Sequence, residues 1–113
     1  MKIIKKNQTF QYKNSDSCIS TEYPLDDKDI NIAIIKLNGR YPTKGRVVNN
    51  ECKELSYILK GSGRIVIEDK EIDLNEGDTV LVEPKEKYYW DGNMTLIVPC
   101  TPAWYPGQHK EVD

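Results

Sequence analysis

Hydrophobic and polar residues alternate with a period of two along much of the chain. Apolar positions alternate or fill short runs in the segments 30–34, 64–68, 72–74 and 94–98. This pattern is typical of half-buried and buried β-strands, whereas helical spacing is not sustained anywhere. The pattern therefore predicts an all-β fold.

Turn-forming residues separate the predicted strands. From Gly61 onward they recur at 61–63, 68–70, 75–77, 84–86, 91–93 and Pro99. Upstream, the pairs at 38–39 and 44–45 predict that a long strand ends at Leu37 and turns before another strand at 55–59 begins. Many short strands with regularly spaced turns indicate a sandwich or a barrel.

Length and charge narrow the class of protein. The chain has 113 residues, of which 38% are hydrophobic and 30% charged, as in ordinary globular proteins. This length predicts a single domain over residues 1–113, which a second copy of the chain would help to stabilise. Because 16 basic and 18 acidic residues give a net charge of −2, we expect neither nucleic acid nor a membrane as a partner.

Cysteine usage and the start of the chain bear on location. Cys18, Cys52 and Cys100 are an odd number without a C-x-x-C pair, and the N-terminal segment lacks the apolar region of a secretion signal. No segment approaches the roughly 20 apolar residues that span a bilayer. We therefore expect a soluble, uncleaved, cytoplasmic protein.

Two segments resemble the motifs of the cupin superfamily. In 45–63, Glu54 and Gly61 have the E-(x)6-G spacing of the first motif, G-(x)5-H-x-H-(x)3,4-E-(x)6-G. The segment 74–84 contains the L-x-x-G-D step that is familiar in the second motif, G-(x)5-P-x-G-(x)2-H-(x)3-N. The resemblance implies a double-stranded β-helix, the RmlC-like jelly-roll barrel, with a core at about 30–100, strands within 1–29 and an irregular tail at 101–113. It also implies a homodimer.

The metal-binding histidines of the cupin motifs are replaced in this chain. Their first two positions fall on Val48 and Asn50 with the shorter spacing, or on Val47 and Asn49 with the longer one. Tyr88 stands at the third position, and Lys85 stands where the motif has glycine. Because valine donates no electron pair, we expect no typical cupin metal centre and no cofactor, with an unusual divalent transition-metal site as the alternative.

The remaining polar residues outline a candidate pocket. Residues two apart in a strand share a face, so Glu54 and Ser56 should point together, as should Tyr88 and Trp90. With Asn49 or Asn50 at the rim, this set suits a sugar or a small polar acid. We assign Glu54 and Tyr88 as candidate catalytic residues. The candidate ligand-binding residues are Asn49, Asn50, Ser56 and Trp90.

Three functions are compatible with this pocket. The first is a small-molecule-binding cupin without catalysis. The second is a metal-independent sugar isomerase, epimerase or lyase in which Glu54 and Tyr88 transfer protons, as the resemblance to metal-free cupin epimerases implies. The third is a structural dimer whose barrel is filled by Trp90 and Tyr57.

Several residues also have purely structural interpretations. Glu54 would be satisfied by the backbone or by an arginine such as Arg46 or Arg64. Tyr41, Trp104 and Tyr105 would be core or dimer contacts, and the tail that carries the last two would pack across the barrel or onto a partner subunit. His109 would be solvated in this tail.

Overall fold

The computed structural model describes all 113 residues and contains one curled antiparallel sheet. This confirms the all-β prediction. Two 3-10 helices, Lys6–Gln8 and Pro106–Gln108, accompany nine strands. The strands are β1 (Phe10–Ser15), β2 (Cys18–Glu22), β3 (Asn31–Tyr41), β4 (Arg46–Asn49), β5 (Lys53–Ile67), β6 (Lys70–Asn75), β7 (Thr79–Val82), β8 (Tyr88–Thr101) and β9 (His109–Val112).

The two longest strands, β5 and β8, connect the parts of the sheet. The order β1-β2-β3-β8-β4-β9 is hydrogen-bonded, and β5 pairs with β6, β7 and β8. Alternate residues of β8 point inward, and so do those of β5 on either side of a register shift between Ile58 and Lys60. The most deeply buried residues include Ile58, Ile65 and Leu96. The curled sheet therefore encloses its core between its own inner faces.

Four of the predicted turns are wrong, because the strands continue through them. β3 extends to Tyr41, β5 passes through 61–63, and β8 passes through 91–93 and Pro99. The glycines at these places allow close backbone approach: Gly63 is paired with Gly92, and a Cβ on Gly92 would lie 2.5 Å from the Gly63 Cα. Glycine within a strand often marks such an approach. The predicted turns at 68–70, 75–77 and 84–86 separate strands in the structure.

Replacing Gly92 with alanine is expected to destabilise the fold by about 2–3 kcal/mol, since a well-packed site must shift to admit the methyl group. The φ angle of Gly92, 143°, adds backbone strain for any other residue. Urea unfolding measures the effect. Gly107→Ala is the matched control, because the added Cβ would meet only the Tyr105 ring, at 3.4 Å. Equal stability of the two variants would contradict the close approach.

The C-terminal tail is more regular than predicted. Strand β9 pairs with the edge strand β4, and this register places His109 opposite Asn49. The prediction of an irregular tail over 101–113 is wrong in this part, because no proline or glycine follows Gly107 and β4 offers an open edge. The Gln108 side chain holds the two residues that precede β5. Its Oε1 accepts hydrogen bonds from the backbone N–H groups of Glu51 (3.0 Å) and Cys52 (2.8 Å).

The outer face of the sheet carries large apolar side chains. Leu55, Tyr57 and Leu59 point outward from β5, and Leu81 lies opposite Leu55 on β7. Tyr57 is 40% exposed, so it does not fill the barrel as the structural-dimer hypothesis requires. The homodimer remains a prediction. None of the helices has the length and apolar character needed to cross a membrane.

Candidate functional site

A cavity lies inside the barrel, among residues of β2, β3, β5, β8 and the tail. Its recess has a volume of about 690 Å³ including its open mouth. Within it, about 60 Å³ is available to the centre of a water molecule. Its polar lining includes Glu54 and Ser56 from β5, Tyr88 from β8, Tyr41 from β3 and His109 from β9. The sheet thus brings five polar side chains from distant parts of the sequence to one space.

Glu54 and Tyr88 are in direct contact. The Tyr88 hydroxyl donates a hydrogen bond of 2.8 Å to Oε1 of Glu54, and the Asn49 amide donates one of 2.6 Å to the same oxygen. The Cys100 thiol lies 3.7 Å from the other oxygen, Oε2. The structure therefore brings the two candidate catalytic residues together.

The arginines do not satisfy Glu54, contrary to one structural interpretation. Arg64 instead pairs with Glu71 and Asp91, and Arg46 donates to the backbone oxygen of Glu68. Both guanidinium groups belong to the exterior of the barrel. Glu54 consequently has no cationic partner that would keep its carboxyl group ionised.

Burial controls the protonation of the Glu54–Tyr88 pair. Loss of solvation raises the pKa of Glu54 above its ordinary 4.5, and hydrogen bonds from Tyr88 and Asn49 oppose this change. Glu54 keeps some surface on the cavity, but the surrounding barrel shields it from bulk water. Burial also raises the pKa of Tyr88 well above 10.0, and the nearby Glu54 raises it further. Both changes extend the protonated form of each group to a higher pH.

Asn49 is the centre of the hydrogen-bond network. The Trp104 indole N–H donates to its Oδ1 at 3.0 Å, which fixes the amide orientation because an indole can only donate. Nδ2 then faces Glu54 and also lies 3.3 Å from the Tyr88 hydroxyl. Asn49 is 2% exposed and lies behind the cavity wall rather than at the rim where we predicted it.

The longer of the two motif spacings is the one that the structure follows. The Asn50 side chain does not line the cavity and makes no side-chain hydrogen bond, so the structure does not bring it together with the other candidate ligand-binding residues. Asn50 follows the end of β4, and its backbone N–H donates to the Gln108 carbonyl at 3.1 Å. Lys85 adopts a φ of 70° where the motif has glycine, and its backbone N–H donates to the Asn49 carbonyl at 2.7 Å.

His109 is part of the site, so the prediction of a solvated tail histidine is wrong. Its Nδ1 lies 2.8 Å from Asn49 Oδ1, and its Nε2 lies 2.9 Å from the Tyr41 hydroxyl. Because Oδ1 can only accept, Nδ1 carries the hydrogen, and Nε2 of the neutral ring accepts from Tyr41. Burial lowers the pKa of His109 below 6.5, which favours this neutral form.

Tyr41 and Trp104 also line the cavity, although the sequence suggested core or dimer contacts. The Tyr41 and His109 rings are stacked with centroids 6.2 Å apart. Proline neighbours concealed this role, since they predict anchored loops but not what a loop covers. The sequence did not indicate that the tail would pair with the free edge of β4.

The remaining predicted ligand-binding residues face the cavity. Ser56 is almost fully buried, and Trp90 packs edge-on against Tyr88 with ring centroids 6.4 Å apart. Cys18 and Cys100 also contribute to the lining, and burial raises the pKa of Cys18 to about 12. The cavity therefore combines polar groups with aromatic and thiol surfaces, and Glu22 of β2 also belongs to its lining.

The side chains at the histidine positions of the cupin motifs do not fit a transition metal. Val47 is fully buried and has no donor atom, and Asn49 Oδ1 already accepts two N–H groups. The Tyr88 hydroxyl donates to Glu54 rather than being ionised. Nor does the chain group three or more His, Cys, Asp or Glu side chains so that they could hold a metal ion.

The stability of the fold is expected to depend on pH through Glu54. The unfolded chain releases this proton near pH 4.5, whereas the folded chain retains it to a higher pH. Glu54 therefore makes its full contribution to the stability of the fold below pH 4.5. This contribution is lost as the pH rises through the pKa that Glu54 has in the folded chain. The loss is about 1.4 kcal/mol for each pH unit that separates the folded from the unfolded pKa. Urea unfolding of the wild type and Glu54→Gln at several pH values measures it.

The glutamine variant serves as the reference because it retains acceptors for Tyr88 and Asn49 but cannot titrate. Hydrogen bonds lower the pKa values of Asp16 and Asp27, so these residues give stability the opposite pH dependence. Both are present in the wild type and in the glutamine variant. Their contributions cancel in the difference. A stability difference that is constant between pH 4 and pH 8 would contradict the raised pKa of Glu54.

The curled barrel and its internal polar cavity are the features of a small cupin. Residues 39–98 match the family model of the EutQ-like cupin domain, and the chain belongs to this family. A sequence relative, an uncharacterised protein of Methanocaldococcus jannaschii, is 27% identical over 63 residues, which are 54% of this chain and 50% of the relative. The chain thus matches about half the length of this relative.

Solved structures show the same fold at low sequence identity. Pac13 of Streptomyces is described as a nucleoside dehydratase, and a variant of it has been solved with uridine. This variant is similar with a TM-score of 0.87 and 14% identity, over 98% of this chain and 90% of that chain. An RmlC-like cupin of Shewanella frigidimarina has a TM-score of 0.71 and 17% identity, over 88% of both chains. At these identities the similarity defines the fold alone.

Proposed function

We propose that the protein binds a small hydroxylated molecule in the barrel cavity and catalyses a metal-independent proton transfer on it, as an isomerase, epimerase or lyase. One observation carries this proposal. Two proton-carrying pairs, Glu54–Tyr88 and His109–Tyr41, are joined by the single amide of Asn49 and line one cavity.

The two pairs are suited to opposite tasks. The raised pKa of Glu54 suits it to act as an acid that, when protonated, gives its proton to a departing hydroxyl group. In the other pair, Tyr41 can take a proton from the ligand while its own proton passes to Nε2 of neutral His109. His109 thereby becomes a cation and Glu54 a carboxylate, and proton exchange with solvent restores both groups.

The lining supports a hydroxylated ring as the ligand. Trp90 and Trp104 offer aromatic faces, and Ser56, Tyr41 and Glu54 offer hydrogen bonds. Pac13, which shares the fold, is a nucleoside dehydratase that has been solved with uridine. This precedent supports dehydration as a reaction of a cupin barrel, and uridine as a first probe.

Binding without catalysis is the second candidate function. It is favoured because the polar groups of the hydrogen-bond network around Asn49 already bond to each other. Glu54 Oε1 and both polar atoms of Asn49 have protein partners. A site of this kind holds its side chains rigidly and is well suited to selective binding. The two functions differ in whether protons of a bound ligand exchange.

The test uses protein treated with a chelator, in deuterated buffer, with uridine, D-glucose and D-glucuronate as separate probes. Proton NMR follows binding, deuterium incorporation and loss of water. We expect at least one probe to bind and to exchange a carbon-bound proton or lose water. Binding without either change would leave the second candidate function, and millimolar probes that all fail to bind would overturn both.

A further inference from the structure

An open groove continues outward from the cavity. It lies between the segment that follows β2 and the tail, and its recess has a volume of about 1280 Å³, of which the centre of a water molecule can reach about 560 Å³. Glu22, Asn31 and Trp104 line both the groove and the cavity. A ligand larger than the cavity would therefore extend into this groove.

The walls of the groove are fastened to each other. Asn31 donates to the Trp104 carbonyl at 3.1 Å and accepts from the Trp104 backbone N–H at 3.0 Å. The Ala103 backbone N–H donates to the Lys28 carbonyl at 3.0 Å. The groove is thus a preformed part of the fold, and a ligand would not have to order it.

Exposed aromatic rings line this groove. Phe10 and Tyr12 on β1 are 54% and 49% exposed, and Tyr105 in the tail is 44% exposed. Core packing does not account for three exposed rings around one recess. Such rings attract flat apolar surfaces and organic cations.

The groove is also acidic. Its lining contains Glu22, Asp26, Asp27 and Glu51 but only one cation, Lys28. Asp27 pairs with Lys2, and Glu51 accepts a hydrogen bond from the Tyr105 hydroxyl. The Glu22 carboxylate has no hydrogen bond or ion pair within the chain, and it lies where groove and cavity meet.

We propose that the groove is a second subsite, which binds the cationic part of an amine-bearing ligand through Glu22 and the aromatic rings. This rests on the proposed function, since the hydroxylated part of the same ligand enters the cavity. The negative lining repels phosphate and carboxylate groups. The ligand is accordingly a hydroxylated amine rather than the small polar acid that the sequence suggested as one possibility.

The test compares three probes that share a nucleoside core: 5′-amino-5′-deoxyuridine, uridine and uridine 5′-monophosphate. Isothermal titration at low salt and pH 7 measures their dissociation constants. We expect the amine to bind about tenfold more tightly than uridine, and the phosphate about tenfold more weakly, because each carries one charge-assisted contact or repulsion. Glu22→Gln should remove most of the advantage of the amine over uridine.

Asp69→Asn is the matched control, because it also removes one negative charge but lies outside the groove and the cavity. It should leave the order of the three probes unchanged. Equal affinities, tighter binding of the phosphate, an amine advantage that survives Glu22→Gln, or no binding of the amine at 10 mM would each overturn the proposal.

Failure of the amine subsite is distinguishable from failure of the proposed function. Proton exchange on a bound probe without the expected charge order would overturn the amine subsite alone. The charge order without proton exchange on any bound probe would overturn catalysis alone.

Discussion

Replacing Glu54 with glutamine is expected to lower turnover by about 10²- to 10⁴-fold, the usual contribution of general acid–base catalysis. Glutamine keeps the size of the side chain and an oxygen that accepts hydrogen bonds from Tyr88 and Asn49. It has no carboxyl proton to give. The loss should therefore appear in kcat rather than in KM or in the thermal stability of the protein.

A matched control separates loss of the acid from loss of charge. Glu71→Gln makes the same chemical change on the exterior, where the carboxylate pairs with Arg64, and should leave turnover unchanged. Tyr88→Phe removes the hydroxyl that donates to Glu54 and should also lower turnover while the aromatic packing persists. Unchanged turnover in Glu54→Gln would exclude Glu54 as the proton donor.

Replacing Asn49 with alanine is expected to destabilise the protein by about 3–5 kcal/mol, the range for breaking a buried network. The change removes partners from Glu54, His109 and the Trp104 indole N–H at once. Each buried polar group left without a partner adds its own desolvation cost. Urea unfolding measures the loss, and the site should lose ligand binding with it.

The neighbouring residue provides the control. Asn50→Ala removes the same side chain one position along, where it makes no side-chain hydrogen bond and does not line the cavity. This variant should lie within about 0.5 kcal/mol of the wild type. If both variants cost the same free energy, Asn49 is not the centre of the network.

The sequence predicted the parts of the site that depend on local spacing. Period two places Glu54 and Ser56 on one face of a strand, and the same rule places Tyr88 with Trp90. The cupin resemblance supplied the pairing that the local pattern lacks, since it implied that both faces point into one barrel. The contact between Glu54 and Tyr88 follows from these two facts together.

The rest of the site depends on pairing between distant segments. His109 is 60 residues from Asn49 in sequence and reaches it only because β9 adds to the open edge of β4. No local pattern near His109 indicates which edge its strand will join. A tail that contains two prolines and a glycine also predicts loop structure, which conceals the four-residue strand at its end.

The glycines have two structural roles, in turns and within paired strands, which the sequence alone did not distinguish. At 75–77 the glycine belongs to a turn, whereas Gly63 and Gly92 lie within paired strands. The difference is whether a second backbone approaches the missing side chain, which is a property of the sheet rather than of the segment. The strand boundaries near these glycines were therefore the least predictable part of the fold.

Titration of the Glu54 carboxyl group tests the proposed acid–base mechanism at its source. Carbon-13 NMR follows the titration, and Glu54→Gln assigns the signal. We expect a midpoint clearly above the ordinary 4.5, because burial without a cationic partner favours the protonated acid. A midpoint at or below 4.5 would mean that Glu54 is ionised under working conditions, and it would contradict its assignment as the proton donor.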